Sequence, residues 1–384
     1  MLNSFIKIKT IPAGIFLFIL LNNTVFSQNK VEYIWFNPVQ NELPVIEGRG
    51  WNDQLESVYD RFPERAKKLV REPVWNLSKH SAGLSIRFKT NSDDIVVRYK
   101  VINNEYAMSH MPATGVSGVD LFAKNNDGMR IWLKGRYSFG DTITYHFKDI
   151  IPRKGNKNDL EYRLYLPLYN AVEWLEIGVP EEVSFKFLPL CKKKPVVVYG
   201  TSIAQGGCAS RPGMAWTSIL GRGLDRPVIN LGFSGNGLLD KEVIDLITEI
   251  DAEVYVLDCL PNLVLNKERT SEVVYQRIIS SVKEIRKKHP DTPVLLVDHA
   301  GYGDGMSDNK RFKAFTDLNR INHKAYNDLK AAGVLHLFIL SNAELDLDQQ
   351  SFVDGTHPTD HGMIQYAQAY KSIIRKIISD QKHR

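Results

Sequence analysis

Pro195-Val196-Val197-Val198-Tyr199-Gly200-Thr201-Ser202-Ile203-Ala204-Gln205-Gly206-Gly207 is the stretch whose reading decides the fold. Val196 to Tyr199 are apolar at every position, so both faces of this strand are expected to be covered, as in a parallel sheet. Gly200, Gly206 and Gly207 permit tight turns and exposed amides immediately beyond it. Ser202 therefore stands at the carboxyl end of a buried strand, where open α/β sheets bind their ligands. Taken alone, a serine in that place serves as readily as a helix cap or turn residue.

Downstream, the same texture repeats. Val228–Leu231, Val254–Leu257, Val294–Val297 and Val334–Ile339 read as further buried strands. Helical stretches are expected near 213–224, 239–250, 270–288, 311–332 and 361–380. Near-continuous Val/Ile/Leu strands alternating with amphipathic helices predict a three-layer, flavodoxin-like domain with a parallel five-stranded sheet over 191–384. The spacing does not encode the strand order.

Upstream, the pattern changes. Leu84–Phe88, Ile95–Tyr99, Ile131–Leu133, Thr142–Tyr145, Tyr162–Leu166 and Val183–Phe187 are short runs with apolar side chains at every second position. Turn residues such as Asn126-Asp127-Gly128 separate them. Many short alternating strands with little helical signal predict a β-sandwich or jelly-roll domain over 28–190. The first 27 residues read as a signal peptide. Lys7 and Lys9 form a basic start, Ile11 to Leu21 an apolar centre, and Val25-Phe26-Ser27 a small-residue cleavage site. The apolar run is shorter than the roughly 20 residues a membrane span needs. The mature chain is thus expected to be exported, to a periplasm or beyond, without stable membrane insertion.

Composition sets the outer bounds. The 384 residues suffice for two cores, and 43% hydrophobic with 24% charged residues is ordinary for a globular protein. The net charge of +5 is small for this length, and Lys192-Lys193-Lys194 reads as a solvated boundary, so no nucleic-acid partner is expected. Cys191, Cys208 and Cys259 cannot all pair within one chain, and their spacing fits no zinc pattern. They are expected as free thiols, with Cys208–Cys259 the pairing that the placement of their segments would allow. No cofactor or metal is called for.

Three further segments carry chemistry. Asp354-Gly355-Thr356-His357-Pro358 sets a carboxylate three residues before an imidazole, a spacing that lets Asp354 hold one ring nitrogen while the other faces a serine. The run Asn230 to Gly237 includes Gly235, whose backbone N–H can serve a developing oxyanion. Asp258-Cys259-Leu260-Pro261-Asn262 offers the side-chain amide of Asn262 at a third strand end. His299 ends the fourth strand and is placed to line the same rim, whereas His361 begins the last helix and is expected to face solvent. A metal site from Asp298, His299 and Asp304 has no recognised spacing. Trp216 and Phe233 stand near the rim as pocket-lining candidates.

In their order and contexts, these segments resemble the sequence blocks of the SGNH (GDSL-like) hydrolase superfamily. Ser202 matches the block I nucleophile, Gly235 the block II glycine, Asn262 the block III asparagine, and Asp354 and His357 the block V pair. Gly-Thr-Ser stands where the family name has Gly-Asp-Ser, and Leu260-Pro261-Asn262 replaces Gly-x-Asn-Asp. The resemblance implies a Ser202–His357–Asp354 catalytic set, with an oxyanion hole from the N–H groups of Ser202 and Gly235 and the Asn262 amide. Gly118-Val119-Asp120-Leu121-Phe122 likewise resembles the Gly-x-Asp-Leu-Tyr signature of the β-rich domain ahead of some SGNH esterases, with Asp120 expected in a structural or interdomain role. Together these imply a secreted serine esterase acting on acylated small molecules or polysaccharides, with carbohydrate O-acetyl groups as the expected substrate. A lipase, lysophospholipase or thioesterase of the same fold, or an inactive glycan-binding protein, are the alternatives.

Overall fold

The computed structural model describes residues 31–125, 128–150 and 160–382. The expected signal peptide, and Asn126 and Asp127 of the expected turn, lie outside these residues. In the first half the described strands are β1 (Tyr33–Phe36), β2 (Ile46–Glu47), β3 (Ser85–Thr90), β4 (Ile95–Val101), β5 (Asp120–Lys124), β6 (Arg130–Leu133), β7 (Arg136–Ser138), β8 (Ile143–Phe147), β9 (Leu160–Tyr165), β10 (Val172–Pro180) and β11 (Phe185–Phe187). They form two antiparallel sheets, ordered β1-β10-β4-β8-β7 and β11-β3-β9-β5-β6, with β2 also paired to β3. Alternation does the work here: Ile86 and Phe88, Val97 and Tyr99, Leu121, Ile143 and Phe147, Leu164, and Leu175 and Ile177 all point into one shared core.

Five of these strands, β1, β2, β5, β7 and β10, are absent from the sequence reading, and β10 is the longest of the eleven. Its pairing with β4 shifts register between Val172 and Trp174. That irregularity breaks the two-residue period by which a strand is recognised.

The second half holds β12 (Val196–Gly200), β13 (Val228–Gly232), β14 (Val254–Asp258), β15 (Val294–Val297) and β16 (Leu337–Leu340). They make one parallel sheet in the order β13-β12-β14-β15-β16, the flavodoxin-like arrangement. Each face is buried by alternate residues of the same strands. Val197, Tyr199, Leu231 and Leu257 pack on one side, and Val196, Val198, Val256 and Leu295 on the other. Helices Trp216–Leu224, Lys241–Ile247, Ser271–Lys288, Asn309–Ala331 and Asp360–Lys382 cover the sheet.

Residues before the sandwich core also cover the α/β sheet: Trp51, Phe62, Val74 and Trp75 share a hydrophobic cluster with Tyr199, Phe233 and Leu239. Tyr33–Arg384 accordingly forms one compact unit. The fold is an α/β flavodoxin-like layer preceded in sequence by an antiparallel β-sandwich.

Candidate active site

Chain order puts three loops side by side. Because β13 and β14 flank β12, the segments after these three strands open on the same sheet edge. Thr201 caps the short helix Ser202–Gln205, its hydroxyl accepting from Ile203 N at 3.3 Å. The helix stops at Gly206, whose φ of 111° is one that glycine tolerates best. Ser202 is 7% exposed, so its hydroxyl is presented from a rigid, nearly buried turn.

The distal segment meets it. Ser202 Oγ lies 2.8 Å from His357 Nε2, and His357 Nδ1 lies 2.8 Å from Asp354 Oδ2. An ionised carboxylate only accepts, so Nδ1 carries the ring proton and Nε2 is left to accept from the serine. Asp354 Oδ1 also accepts from the backbone N–H groups of Thr356 (3.0 Å) and His357 (2.8 Å). Burial pushes this carboxyl up, but the hydrogen bonds from His357 and Thr356 together prevail and bring it down to about 2.

The loop that carries this pair is held from outside. Arg311 donates to Gly355 O at 2.9 Å and to Thr356 Oγ1 at 2.7 Å, and Gly303 N donates to Gly355 O at 2.9 Å. Arg311 also pairs with Asp304 at 2.9 Å and lies over the Tyr302 ring.

The two other sequence candidates sit at the neighbouring strand ends. Gly235 is exposed and takes φ +67° in the turn after β13, in which Asn236 N donates to Phe233 O at 2.8 Å. Asn262 closes a 3-10 turn, Leu260–Asn262, and its Oδ1 accepts from Gly237 N at 3.0 Å. With the oxygen so engaged, the Asn262 amide turns its Nδ2 donors elsewhere. The oxyanion candidates are thereby tied to one another through Gly237.

Several residues that the sequence reading did not single out assemble this edge. Gln205, fully buried, accepts from Ser234 N at 3.0 Å through its carbonyl oxygen and donates to Leu168 O at 3.1 Å through its amide, linking the serine helix to the Gly235 turn. The Tyr169 hydroxyl donates to Ser202 O at 3.2 Å. Arg61, completely buried, donates to Asn230 O (3.0 Å), Gly232 O (2.7 Å) and Leu77 O (2.6 Å), with its guanidinium 4.9 Å from the Phe233 ring centre. Burial pulls its guanidinium down to about 9. His110, on a sandwich loop, stacks on His357 with centroids 5.9 Å apart.

Asp120 engages the segment that follows the serine helix rather than Ser202 itself. Its carboxylate takes Trp132 Nε1 (2.6 Å), Arg211 (2.6 Å) and Gly213 N (3.0 Å), joining sandwich to serine loop as an interdomain tie.

The expectations for Trp216, Phe233 and His299 need revision, whereas those for His361 and the cysteines agree with the structure. Trp216 and Phe233 do not line a pocket. Both are fully buried, Trp216 stacked on Tyr370 at 4.1 Å and Phe233 packed on Phe62. An aromatic near a strand end reads alike for core and pocket, and here the helix Asp360–Lys382 and the 51–77 segment bury them. His299 is buried behind the rim, packed on Tyr302 and Phe315, and Asp298 is engaged by Asn322 and His323 rather than by His299. His361 is exposed, with a 3.3 Å contact to Asp348. All three cysteines are free thiols. Cys208 and Cys259 are buried, and burial pushes the Cys208 thiol up to about 12.

Comparison with known proteins adds the following. A sequence profile of the GDSL-like Lipase/Acylhydrolase family matches residues 193–375, and one for the N-terminus of SGNH-hydrolase-type esterases (GxDLY) matches residues 33–185. The structure resembles a GDSL-like lipase from Bacteroides ovatus, at 30% identity and TM-score 0.81, over 91% of this chain and 98% of that one. The salicylyl-acyltransferase SsfX3 of a tetracycline biosynthetic pathway shares the fold at 17% identity and TM-score 0.67, over 90% and 97% of the two chains. An acetyl xylan esterase from the rumen bacterium Butyrivibrio proteoclasticus does so at 11% identity and TM-score 0.52, over 90% and 99%. No curated protein matches the sequence.

Proposed function

Since the chain belongs to the GDSL-like lipase/acylhydrolase family and is a carboxylic ester hydrolase, we propose that it works through a Ser202–His357–Asp354 acyl-enzyme and removes O-acetyl groups from carbohydrates. The observation that carries the mechanism is the unbroken relay from Ser202 Oγ through the His357 ring to Asp354, with 2.8 Å at each link. His357 Nε2 takes the serine proton as Oγ attacks the ester carbonyl. The oxyanion lies among the N–H groups of Ser202 and Gly235 and the Asn262 amide. Collapse expels the alcohol, which receives the proton from His357. Water then repeats the sequence on the acyl-serine and releases the acid.

Trp216 and Phe233, candidates for lining either a short or a long acyl pocket, are spent in the core and favour neither. The acetyl-carbohydrate reading is supported by the fold shared with the acetyl xylan esterase. The expected signal peptide fits an enzyme that meets its polymer outside the cytoplasm, in a periplasm or beyond. In the same reading, residues 28–190 serve as the accessory domain of a hydrolase domain over 191–384.

The test is acetate release from a panel of acetylated polysaccharides, run beside p-nitrophenyl acetate and octanoate. Acetate release and an acetyl preference are expected, with both lost in Ser202→Ala. Near-wild-type turnover by Ser202→Ala would overturn the mechanism. A marked octanoyl preference would instead favour the lipase or thioesterase reading.

A further inference from the structure

Cys208 departs from a local rule. It takes φ +69° in the turn that follows the serine helix, in the left-handed region that a side chain rarely adopts. A glycine would sit there without strain, as Gly206 does two residues earlier. Non-glycine residues held in such conformations cluster where the side chain has a task. The Cys208 side chain does not reach for solvent, the residue being 7% exposed. Its Sγ, a carboxylate oxygen of Asp354 and a ring nitrogen of His357 all lie within 4.8 Å of one another.

Thiolate, imidazole and carboxylate are together the donor set of a borderline-soft divalent cation. Zinc bonds of about 2.3 Å to sulfur, 2.0–2.1 Å to nitrogen and 2.0–2.2 Å to oxygen place tetrahedral ligand atoms roughly 3–4 Å apart. The three groups, within 4.8 Å of one another, therefore need to close by about 1–2 Å at most to embrace one ion. A carboxylate–imidazole pair alone is common in hydrolases, but the thiol beside it adds the ligand that selects zinc over magnesium or calcium.

We propose that Cys208, Asp354 and His357 form a binding site for zinc or a similarly thiophilic divalent cation, and that its occupation reversibly switches the hydrolase off. The cation takes the Cys208 sulfur as thiolate, with the thiol proton released to solvent. It takes one carboxylate oxygen of Asp354, and the lone pair of one His357 ring nitrogen. Water completes the fourth position. Coordination at Nε2 removes the lone pair that accepts the serine proton. Coordination at Nδ1 replaces the Asp354 hydrogen bond that orients the ring and moves the ring proton from Nδ1 to Nε2, which again removes that lone pair. Either way the same groups cannot bind the ion and run the relay together. No oxidation or covalent change of the chain is involved, so a chelator restores the relay.

The switching half of this inference rests on the hydrolase reading, whereas the binding half does not. Both are measured on the full mature chain after treatment with EDTA. Zinc chloride is titrated calorimetrically, cobalt(II) is added separately to seek a thiolate-to-cobalt charge-transfer band, and p-nitrophenyl acetate hydrolysis is followed across the zinc series. One zinc per chain, the charge-transfer band, and inhibition reversed by EDTA are expected. Cys208→Gly, which also relieves the backbone strain, should weaken zinc binding at least tenfold and raise the inhibitory zinc concentration in parallel, each activity being referred to that variant's own metal-free rate. Cys208→Ser serves the same purpose should the glycine variant misfold, and Cys191→Ser should behave as wild type. Asp354→Asn should also weaken binding in the calorimeter, where no turnover is needed.

Wild-type zinc binding that is absent, or unchanged in both Cys208 variants, would overturn the site. Binding at Cys208 without inhibition would overturn the switch alone. A chain that binds zinc but hydrolyses no ester would count against the proposed function and leave the site standing.

Discussion

Replacing Asp354 by Asn keeps the shape of the side chain and removes its charge, which makes it the sharpest probe of the relay. In the wild type one carboxylate oxygen takes the ring proton at Nδ1 and the other takes two backbone N–H groups. In Asp354→Asn the amide oxygen can keep the backbone bonds, and the amide NH2 then faces Nδ1. Two donors cannot share that bond, so the ring moves its proton to Nε2 and the serine loses its acceptor. A wrong tautomer in a buried triad costs about 10⁴ in kcat, or roughly 5 kcal/mol of barrier. Here the Asp354 side chain is 40% exposed, so water competes for the ring, and the expected loss is about 10²–10⁴.

Asp354→Ala leaves the ring free to adopt either tautomer and should lose no more than Asp354→Asn, although it resembles the native residue less. The assay is kcat and KM for p-nitrophenyl acetate, with circular dichroism to verify folding. A folded Asp354→Asn enzyme within tenfold of wild type, or an Ala variant clearly worse than the Asn one, would refute the reasoning.

Two further outcomes concern the frame around the site. A Cβ on Gly237 would overlap the Gly200 carbonyl oxygen and sit 2.7 Å from its carbon, both backbone atoms, whereas a Cβ on Gly235 meets open space. Gly237→Ala should therefore cost about 3 kcal/mol as overpacking, and Gly235→Ala only the roughly 1–2 kcal/mol of a left-handed residue. Urea midpoints check the order, and equal midpoints would contradict it. Asp258, buried at the end of β14, has its carboxyl pushed by burial up to about 7 from 3.8. Between those values the native state binds more protons than the unfolded chain, so wild-type stability falls as pH rises from about 4 to 7, by on the order of 4 kcal/mol. Asp258→Asn should flatten that fall, and urea titrations at both ends of the range would show a parallel slope if the burial argument is wrong.

The contrast between what the chain disclosed and what it withheld has a physical basis. β12 to β15 were legible because a sheet covered on both faces needs uninterrupted apolar runs, and Asp354 with His357 because three residues of separation make their contact a local matter. Ser202 was legible only through that distal pair. Strand order was not, since it depends on which crossovers the helices take. Arg61, Tyr169 and Gln205 escaped notice because their partners are carbonyls and amides, which every residue possesses and no motif records. Trp216 and Phe233 were misplaced for the complementary reason, that an apolar ring has no mark showing whether another element will cover it.

The long separation of the site's parts has a consequence for synthesis. Arg61 and Tyr169, which brace the serine loop, leave the ribosome before Ser202, so the turn's braces are synthesised ahead of it. His357 emerges last, 155 residues behind its serine. On the proposed mechanism, a chain interrupted anywhere between them carries the serine without its base, so ester cleavage waits for the segment that brings His357.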